Sequence, residues 1–278
     1  MNGMPDPAEG RHLYGQDPAT YALGRPDYPH HVYEVLRNRC GLAPLARVVE
    51  IGPGTGLVTR HLLDAGAHVT AIEANAAMAR YLADACSERD LDVLVAAFED
   101  VELPVDSFDL AVAATSFHWV EPTRGMQQLH RTLRAGGWAA IWWIMFEDPE
   151  APDDVSRVVE RILVPPPGRD PTVRPFQLDA RARCDALEET GFVDVESEII
   201  WNTVELDPSQ ARLLYASMAV VLRLSGAERA RVLDAIETTV KEQPGCRIAR
   251  QLVTAMYTAR KPWPASHDPR AVTSAVHQ

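Results

Sequence analysis

Residues 48–60 read VVEIGPGTGLVTR. A short apolar run leads into three closely spaced glycines, Gly52, Gly54 and Gly56, and then into residues with helical spacing. The stretch therefore reads as a strand, a tight turn and a helix. A glycine turn at that junction lets the backbone approach a nucleotide-like ligand closely.

The same alternation continues on both sides of the turn. RVVEIG (47–52) is the first strand, and LVTRHLLDAG (57–66) is a helix that stops at Gly66. HVTAIEA (68–74), LDVLVAAF (91–98), FDLAVAATS (108–116) and WAAIWWIMF (138–146) are further apolar strands. Between them, residues 76–89 and 123–137 carry helical spacing, the second stopped by the Gly136-Gly137 pair. Apolar strands alternating with amphipathic helices predict an α/β fold, a mostly parallel sheet with helices on both faces.

Beyond residue 147 the pattern loosens. Residues 147–178 are proline-rich, with one short helical candidate at 155–164. A helix resumes at 182–192, and 193–206 alternates like an exposed strand. Two consecutive helices are expected at 209–225 and 227–243, and a last strand at 250–261. The helical insertions are expected to cap the carboxyl edge of the sheet, where open α/β sheets bind ligands. The first ten residues and the last sixteen read as loose ends.

The chain has 278 residues, a hydrophobic fraction of 46% and a net charge of −12, values of a soluble globular protein whose average field repels a nucleic-acid backbone. No apolar run is long enough to span a bilayer, and the first residues lack a signal core, so a cytoplasmic location is expected. Cys40, Cys86, Cys184 and Cys246 lie far apart and suggest scattered buried thiols, neither disulfide nor metal site.

Two acids narrow the ligand. Glu50 ends the first strand just before the turn, and Glu73 ends the second about 20 residues on, where an acid can accept ribose hydroxyls. The dinucleotide fingerprint G-x-G-x-x-G has Leu57 at its third glycine, and Glu50 would repel a pyrophosphate. Beside an ammonium or sulfonium the same carboxylate is favourable. A plain tight turn and a solvated Glu73 are the bland alternatives.

With these residues in view, the sequence resembles the class I S-adenosylmethionine-dependent methyltransferases, of the small-molecule, trans-aconitate-methyltransferase-like and type 11-like kind. VVEIGPGTG with Glu73 looks like their first motif and the acidic strand end that follows. The likeness runs through residues 96–122, 131–141 and YALGRPDYP (21–29), and covers about residues 14–147. It implies a Rossmann-like, seven-stranded, mostly parallel sheet with a helical cap. The implied segments are a lid at 1–30, a cofactor-binding core at 31–147 and a cap insertion at 148–180. The core continues at 181–206, a helical cap fills 207–247, the last core strand is 248–262 and a flexible tail is 263–278.

The resemblance also implies roles. Gly52, Gly54 and Gly56 let the backbone approach the methionine part of S-adenosylmethionine, Glu50 holds its amino group and Glu73 its ribose. Phe98 and Glu99 sit where adenine is gripped; many relatives carry Asp where this chain has Ala97. Phe98 as core and Glu99 as a loop acid remain open. Thr115 and Ser116 are expected to face the sulfonium, and Arg25 to pair with the methionine carboxylate, unless GRPDYP only sets the entry into the next helix.

The acceptor is expected to be a small molecule, with O-methylation favoured. Tyr14, Tyr21, Trp119 and Met145 are the candidate acceptor-site residues. His118 is the candidate general base, because imidazole titrates near neutrality; the alternative is a purely hydrogen-bonding role. Trp142 and Trp143 point to opposite faces of their strand, with one of them in the core. Arg223 could meet an acidic substrate or water. No metal site is expected, and the assembly is expected to be a monomer or homodimer. An NAD-linked oxidoreductase and a non-catalytic binding protein on the same fold are the rival readings.

Overall fold

The computed structural model describes residues 13–146, 153–162 and 175–264. The expected loose first ten residues, much of the 148–180 insertion and the tail from residue 265 lie outside them.

In chain order the elements are α1 (Pro18–Gly24), α2 (His30–Asn38), β1 (Arg47–Ile51), α3 (Leu57–Asp64), β2 (His68–Glu73), α4 (Ala76–Ala85), β3 (Leu91–Val95) and β4 (Phe108–Ala114). They continue with α5 (Pro122–Thr132), β5 (Leu133–Met145), α6 (Asp154–Ile162), α7 (Ala180–Glu189), β6 (Val193–Leu206), α8 (Pro208–Ala216), α9 (Ala219–Leu222), α10 (Gly226–Lys241) and β7 (Ile248–Arg260). One seven-stranded sheet runs β3-β2-β1-β4-β5-β7-β6. β1 to β5 are parallel, and β7 is antiparallel to both β5 and β6. The order reverses at β1 and β4, so the carboxyl ends of these two strands flank the crevice where such sheets bind ligands.

Among the described residues, strand alternation builds two of three apolar cores. Val48, Leu110, Val112 and Trp142 face α2, α3 and α4, meeting Leu36, Leu62 and Leu82. Val49, Phe108, Ala111, Trp143 and Tyr257 face the other way, towards Leu129 of α5 and Leu187 of α7. Trp142 and Trp143 are both core residues, one on each face; the expectation that only one is buried is corrected. The third core is helical. Leu214, Tyr215, Val232, Ile236 and Val240 pack with Val155, Leu206 and Ile248, joining α6, α8 and α10 to the ends of β6 and β7.

Several boundaries differ from the sequence reading. α5 ends at Thr132, four residues before the glycine pair, because Leu133 turns extended and pairs with Phe108. β3 ends at Val95, which frees residues 96–98 to form a loop. The helix expected over 209–225 breaks after Ala216, and Ser217 turns its hydroxyl back to Leu214 O at 2.6 Å. Trp263, expected in the tail, lies so close to Gly136 that a Cβ there would meet its ring at 2.2 Å. Cys246 is exposed, unlike the expected buried thiols, whereas burial pushes the Cys40 thiol up to about 12. β6 is the exposed strand expected, and it lies at the sheet edge with Trp201 half uncovered. Among the described residues no helix is long and apolar enough to cross a membrane.

Leu45 holds a left-handed backbone (φ 68°) while its side chain is 85% exposed. Left-handed geometry strains a β-carbon, and asparagine tolerates it better. Leu45→Asn is therefore expected to raise stability by about 0.5–1 kcal/mol, read as a higher urea midpoint at unchanged slope.

Candidate functional site

The crevice at the carboxyl ends of β1 and β4 is a cavity, and most of the site residues expected from the sequence line it. Glu50, Gly52, Gly54 and Glu73 form its floor, and Ala97, Phe98 and Glu99 one wall. Thr115, His118 and Trp119, from the end of β4 and the turn after it, form another part of the wall, and Tyr14, Tyr21 and Arg25, from the N-terminal segment, complete it as a roof.

The glycine turn is shaped by what surrounds it. Gly52 has φ 65°, and a Cβ there would sit 2.6 Å from Ser116 Cβ. Only glycine lets β1 pass that close to the end of β4. The Ser116 hydroxyl closes the junction by donating to Ile51 O. Gly54 also has a positive φ, and a Cβ there would meet nothing nearer than Tyr21 Cε1 at 3.9 Å, so this peptide faces open cavity. Gly56 differs from expectation. It lies outside the cavity wall and faces Leu82, whose Cδ1 would be 2.5 Å from a Cβ, so it serves helix packing.

The two acids are held differently. Glu50 is buried, and its Oε2 accepts from Thr59 Oγ1 at 2.6 Å. Among the described residues no cation forms an ion pair with it. Burial foremost, with the nearby Glu73 charge adding, pushes its carboxyl up to about 7. Glu73 accepts from Gly54 N at 3.0 Å through Oε2 and from Asn75 N at 2.8 Å through Oε1. It thus ties the end of β2 to the glycine turn.

Thr115, at the end of β4, has φ 53°. Its Oγ1 pairs with Tyr28 OH at 2.9 Å and accepts from Ile144 N at 3.2 Å, which locks the strained residue in the wall. His118 sits on a 3-10 turn, Phe117–Trp119. Its Nδ1 accepts from Trp143 Nε1 at 3.0 Å, and burial pushes the imidazole down to about 4. Such a nitrogen is a weak proton acceptor at neutral pH, which suits the hydrogen-bonding alternative read from the sequence.

The roof is aromatic and cationic. Tyr14 packs edge-on against Tyr21 at 5.6 Å and Trp119 at 6.1 Å. The Arg25 guanidinium stacks at 4.7 Å from the Tyr21 ring centroid and 4.6 Å from that of Phe146, and Nη2 donates to Ser217 O at 2.8 Å. Among the described residues no carboxylate pairs with Arg25. Arg223 is exposed and lies outside the cavity wall. Met145 is also outside the wall and packs against the apolar core, while Ile144 and Phe146 line the cavity. Neighbours on a strand point to opposite faces, so 144 and 146 share the side that 145 cannot reach.

Sequence reasoning missed Tyr28, Asn75 and Met78, all in the cavity wall. Asn75 had a signal: an asparagine directly before the Ala76 helix caps it, here by accepting from Ala77 N and Met78 N. That cap fixes the turn after Glu73.

The fit to S-adenosylmethionine rests on this donor set. A buried carboxylate with no ion-pair partner among the described residues suits an incoming ammonium, and the missing side chain at Gly54 leaves room for close approach to the backbone. A diphosphate at the same place would meet Glu50.

Comparison with known proteins agrees with the geometry. Residues 49–141 match a family described as a methyltransferase domain. An uncharacterized methyltransferase of Mycobacterium tuberculosis is 31% identical over 130 residues, 47% of this chain and 51% of the relative. The malonyl-[acyl-carrier protein] O-methyltransferase of a Paenibacillus species is 38% identical over 111 residues, 37% of this chain and 40% of that one. The chain spans about half the length of the first curated relatives it matches. Among solved structures, the Haemonchus contortus phosphoethanolamine N-methyltransferase 2, in complex with phosphomonomethylethanolamine and S-adenosylhomocysteine, aligns with a TM-score of 0.54 at 13% identity. The alignment covers 90% of this chain and 57% of that one, a likeness of fold. Glycine turn, paired acids and strand order agree with the matched domain: residues 49–141 are similar to the methyltransferase domain family, on a fold shared with methyltransferases.

Proposed function

We propose that this protein transfers a methyl group from S-adenosylmethionine to a small-molecule acceptor, with oxygen the favoured acceptor atom. The observation that carries the proposal is the buried Glu50 carboxylate, which has no ion-pair partner among the described residues and stands beside an open glycine turn. When bound, the cofactor supplies a methyl group activated by a sulfonium.

Glu50 would hold the amino group and the Gly52–Gly54 backbone the methionine part. Glu73 would accept from the ribose while still bonded to Gly54 N. Ala97, Phe98 and Glu99 would flank the adenine, by packing and backbone in place of the usual Asp. Arg25 is the cation for the methionine carboxylate, and its stacking between two rings keeps it oriented. Thr115 and Ser116 would border the sulfonium. Tyr14, Tyr21 and Trp119 close the acceptor side and exclude water, which together with alignment is most of what an in-line methyl displacement requires.

His118 enters this scheme as a hydrogen-bonding group. Since burial keeps it neutral and weakly basic, an acceptor oxygen that arrives already ionised suits the site better than an alcohol. The Paenibacillus relative, an O-methyltransferase by name, supports oxygen as the acceptor atom.

Isothermal titration with S-adenosylhomocysteine tests the cofactor assignment. Binding with a Kd in the micromolar range is expected, on the order of −8 kcal/mol. A thermal-shift series with NAD alongside should show stabilisation by S-adenosylhomocysteine alone. Stabilisation by NAD in its place would overturn the proposal.

A further inference from the structure

The side chain behind His118 decides what His118 can do. Trp143 is 3% exposed, and its indole N–H donates to His118 Nδ1 at 3.0 Å. A ring nitrogen that accepts a hydrogen bond carries no proton, so the neutral imidazole keeps its hydrogen on Nε2. The indole is held edge-on by Phe176 at 5.4 Å and by Tyr257 at 6.0 Å, and Tyr257 OH is itself anchored on Gln177 O at 2.7 Å. Trp119 lies tilted against the imidazole at 4.4 Å. His118 lines the cavity and Trp143 does not, so Nδ1 is turned away from the ligand space. Among the described residues Nε2 has no hydrogen-bond partner.

We infer that Trp143 is a positioning residue that fixes His118 as a neutral hydrogen-bond donor, with its Nε2–H directed to the acceptor side of the cavity. The inference rests on the methyl-transfer reading above and deepens it. Protonating His118 would set an Nδ1–H against the indole N–H, donor against donor, so the geometry itself opposes the charged ring. Burial acts in the same direction and is the one cause resolved for the lowered pKa. The charged groups that share the cavity, Arg25 on the segment after α1, Glu50 of β1, Arg60 of α3, Glu73 of β2 and Glu99, make no resolved contribution to it. An N–H at this place recognises a lone pair. The matching acceptor therefore presents an electron-rich oxygen and brings no proton for His118 to remove.

Nitrogen NMR on the full chain with 15N-labelled histidine tests this without any acceptor. The His118 signals are assigned by their absence in His118→Gln. The Nε2–H tautomer is expected, with no titration between about pH 5.5 and 8.5, in the presence or absence of S-adenosylhomocysteine. Trp143→Phe removes the indole donor and should shift the tautomer ratio towards Nδ1–H by about fivefold or more. An Nδ1–H tautomer in the unsubstituted protein, titration near the ordinary value of about 6.5, or an unchanged ratio in Trp143→Phe overturns the inference. If Trp143→Phe does not fold, the tautomer and titration of the unsubstituted protein decide alone. Calorimetry on the same samples separates the two readings: absent S-adenosylhomocysteine binding overturns the cofactor assignment, whereas a wrong tautomer with intact binding overturns only the role of Trp143.

Discussion

Glu50→Gln is expected to weaken S-adenosylhomocysteine binding by about 10- to 100-fold and, in the same protein, to raise stability above pH 7. Both effects come from one buried carboxylate. In the free protein Glu50 has Thr59 as its donor and, among the described residues, no ion-pair partner, and burial pushes its carboxyl up to about 7 from an ordinary 4.5. The sign follows from proton binding. Between pH 4.5 and about 7 the folded chain keeps a proton that the unfolded chain has released, so folding is favoured by low pH. That contribution is complete below 4.5 and is lost as pH rises through about 7. Glutamine keeps an oxygen for the Thr59 hydroxyl and has no charge to bury. The gain of the variant should therefore grow across this window and reach on the order of 2 kcal/mol above it. Binding has the opposite dependence. An ammonium needs the ionised carboxylate, so affinity should fall as pH drops below 7 in the unsubstituted protein and stay flat in the variant. Calorimetry at several pH values, with urea unfolding at pH 5 and pH 8, checks both. A variant that binds as tightly as the parent at pH 8 would remove Glu50 from the cofactor site.

Arg250→Ala is the second large effect, an expected loss of about 3–5 kcal/mol. Arg250 is 1% exposed at the start of β7. Its Nε pairs with Asp153 Oδ2 at 2.7 Å, Nη1 donates to Tyr215 OH at 2.6 Å and Nη2 to Ser156 Oγ at 2.8 Å. One side chain thus joins the sheet to the first turn of α6 and to α8. Truncation leaves an acid, a phenol and a serine hydroxyl facing a cavity. Arg250→Met fills most of that volume and should lose clearly less, because the cost of an orphaned partner is then not compounded by a void. Urea unfolding of the two variants is the measurement. Equal losses would show that the void is of no consequence and that the lost polar contacts alone set the cost.

The parallel half of the sheet was legible because its signals are local. VVEIG, HVTAIE and FDLAVAA are short apolar runs closed by glycine, acid or polar turns, and each forms the strand read from it. The floor of the site was legible for the same reason, since Glu50, Gly52 and Glu73 take their places from strand ends. What failed depended on partners distant in sequence. Met145 and Phe146 are adjacent, and which one reaches the cavity is set by the pairing of β5 with β7 about 110 residues on. The donor role proposed for His118 rests on Trp143, 25 residues away, whose neighbours come from segments that sequence reading left loosely assigned. Gly56 reads like Gly52 in the string, yet only the helix packed on it distinguishes them. Arg250 gave no sequence signal at all, because a buried arginine and a surface one look alike until α6 and α8 are folded against it.

The short helix over the cavity is moored to the helical layer. A Cβ on Gly24 would meet Leu213 O at 2.3 Å, and Arg25 reaches Ser217 O at 2.8 Å. Tyr21 and Arg25 are carried on that mooring, so opening the entrance would have to break these contacts with the helical layer. Retargeting this scaffold by grafting a foreign helical layer would therefore also disturb the residues proposed to grip the cofactor. A workable chimera has to import residues 13–25 together with α8, as one piece.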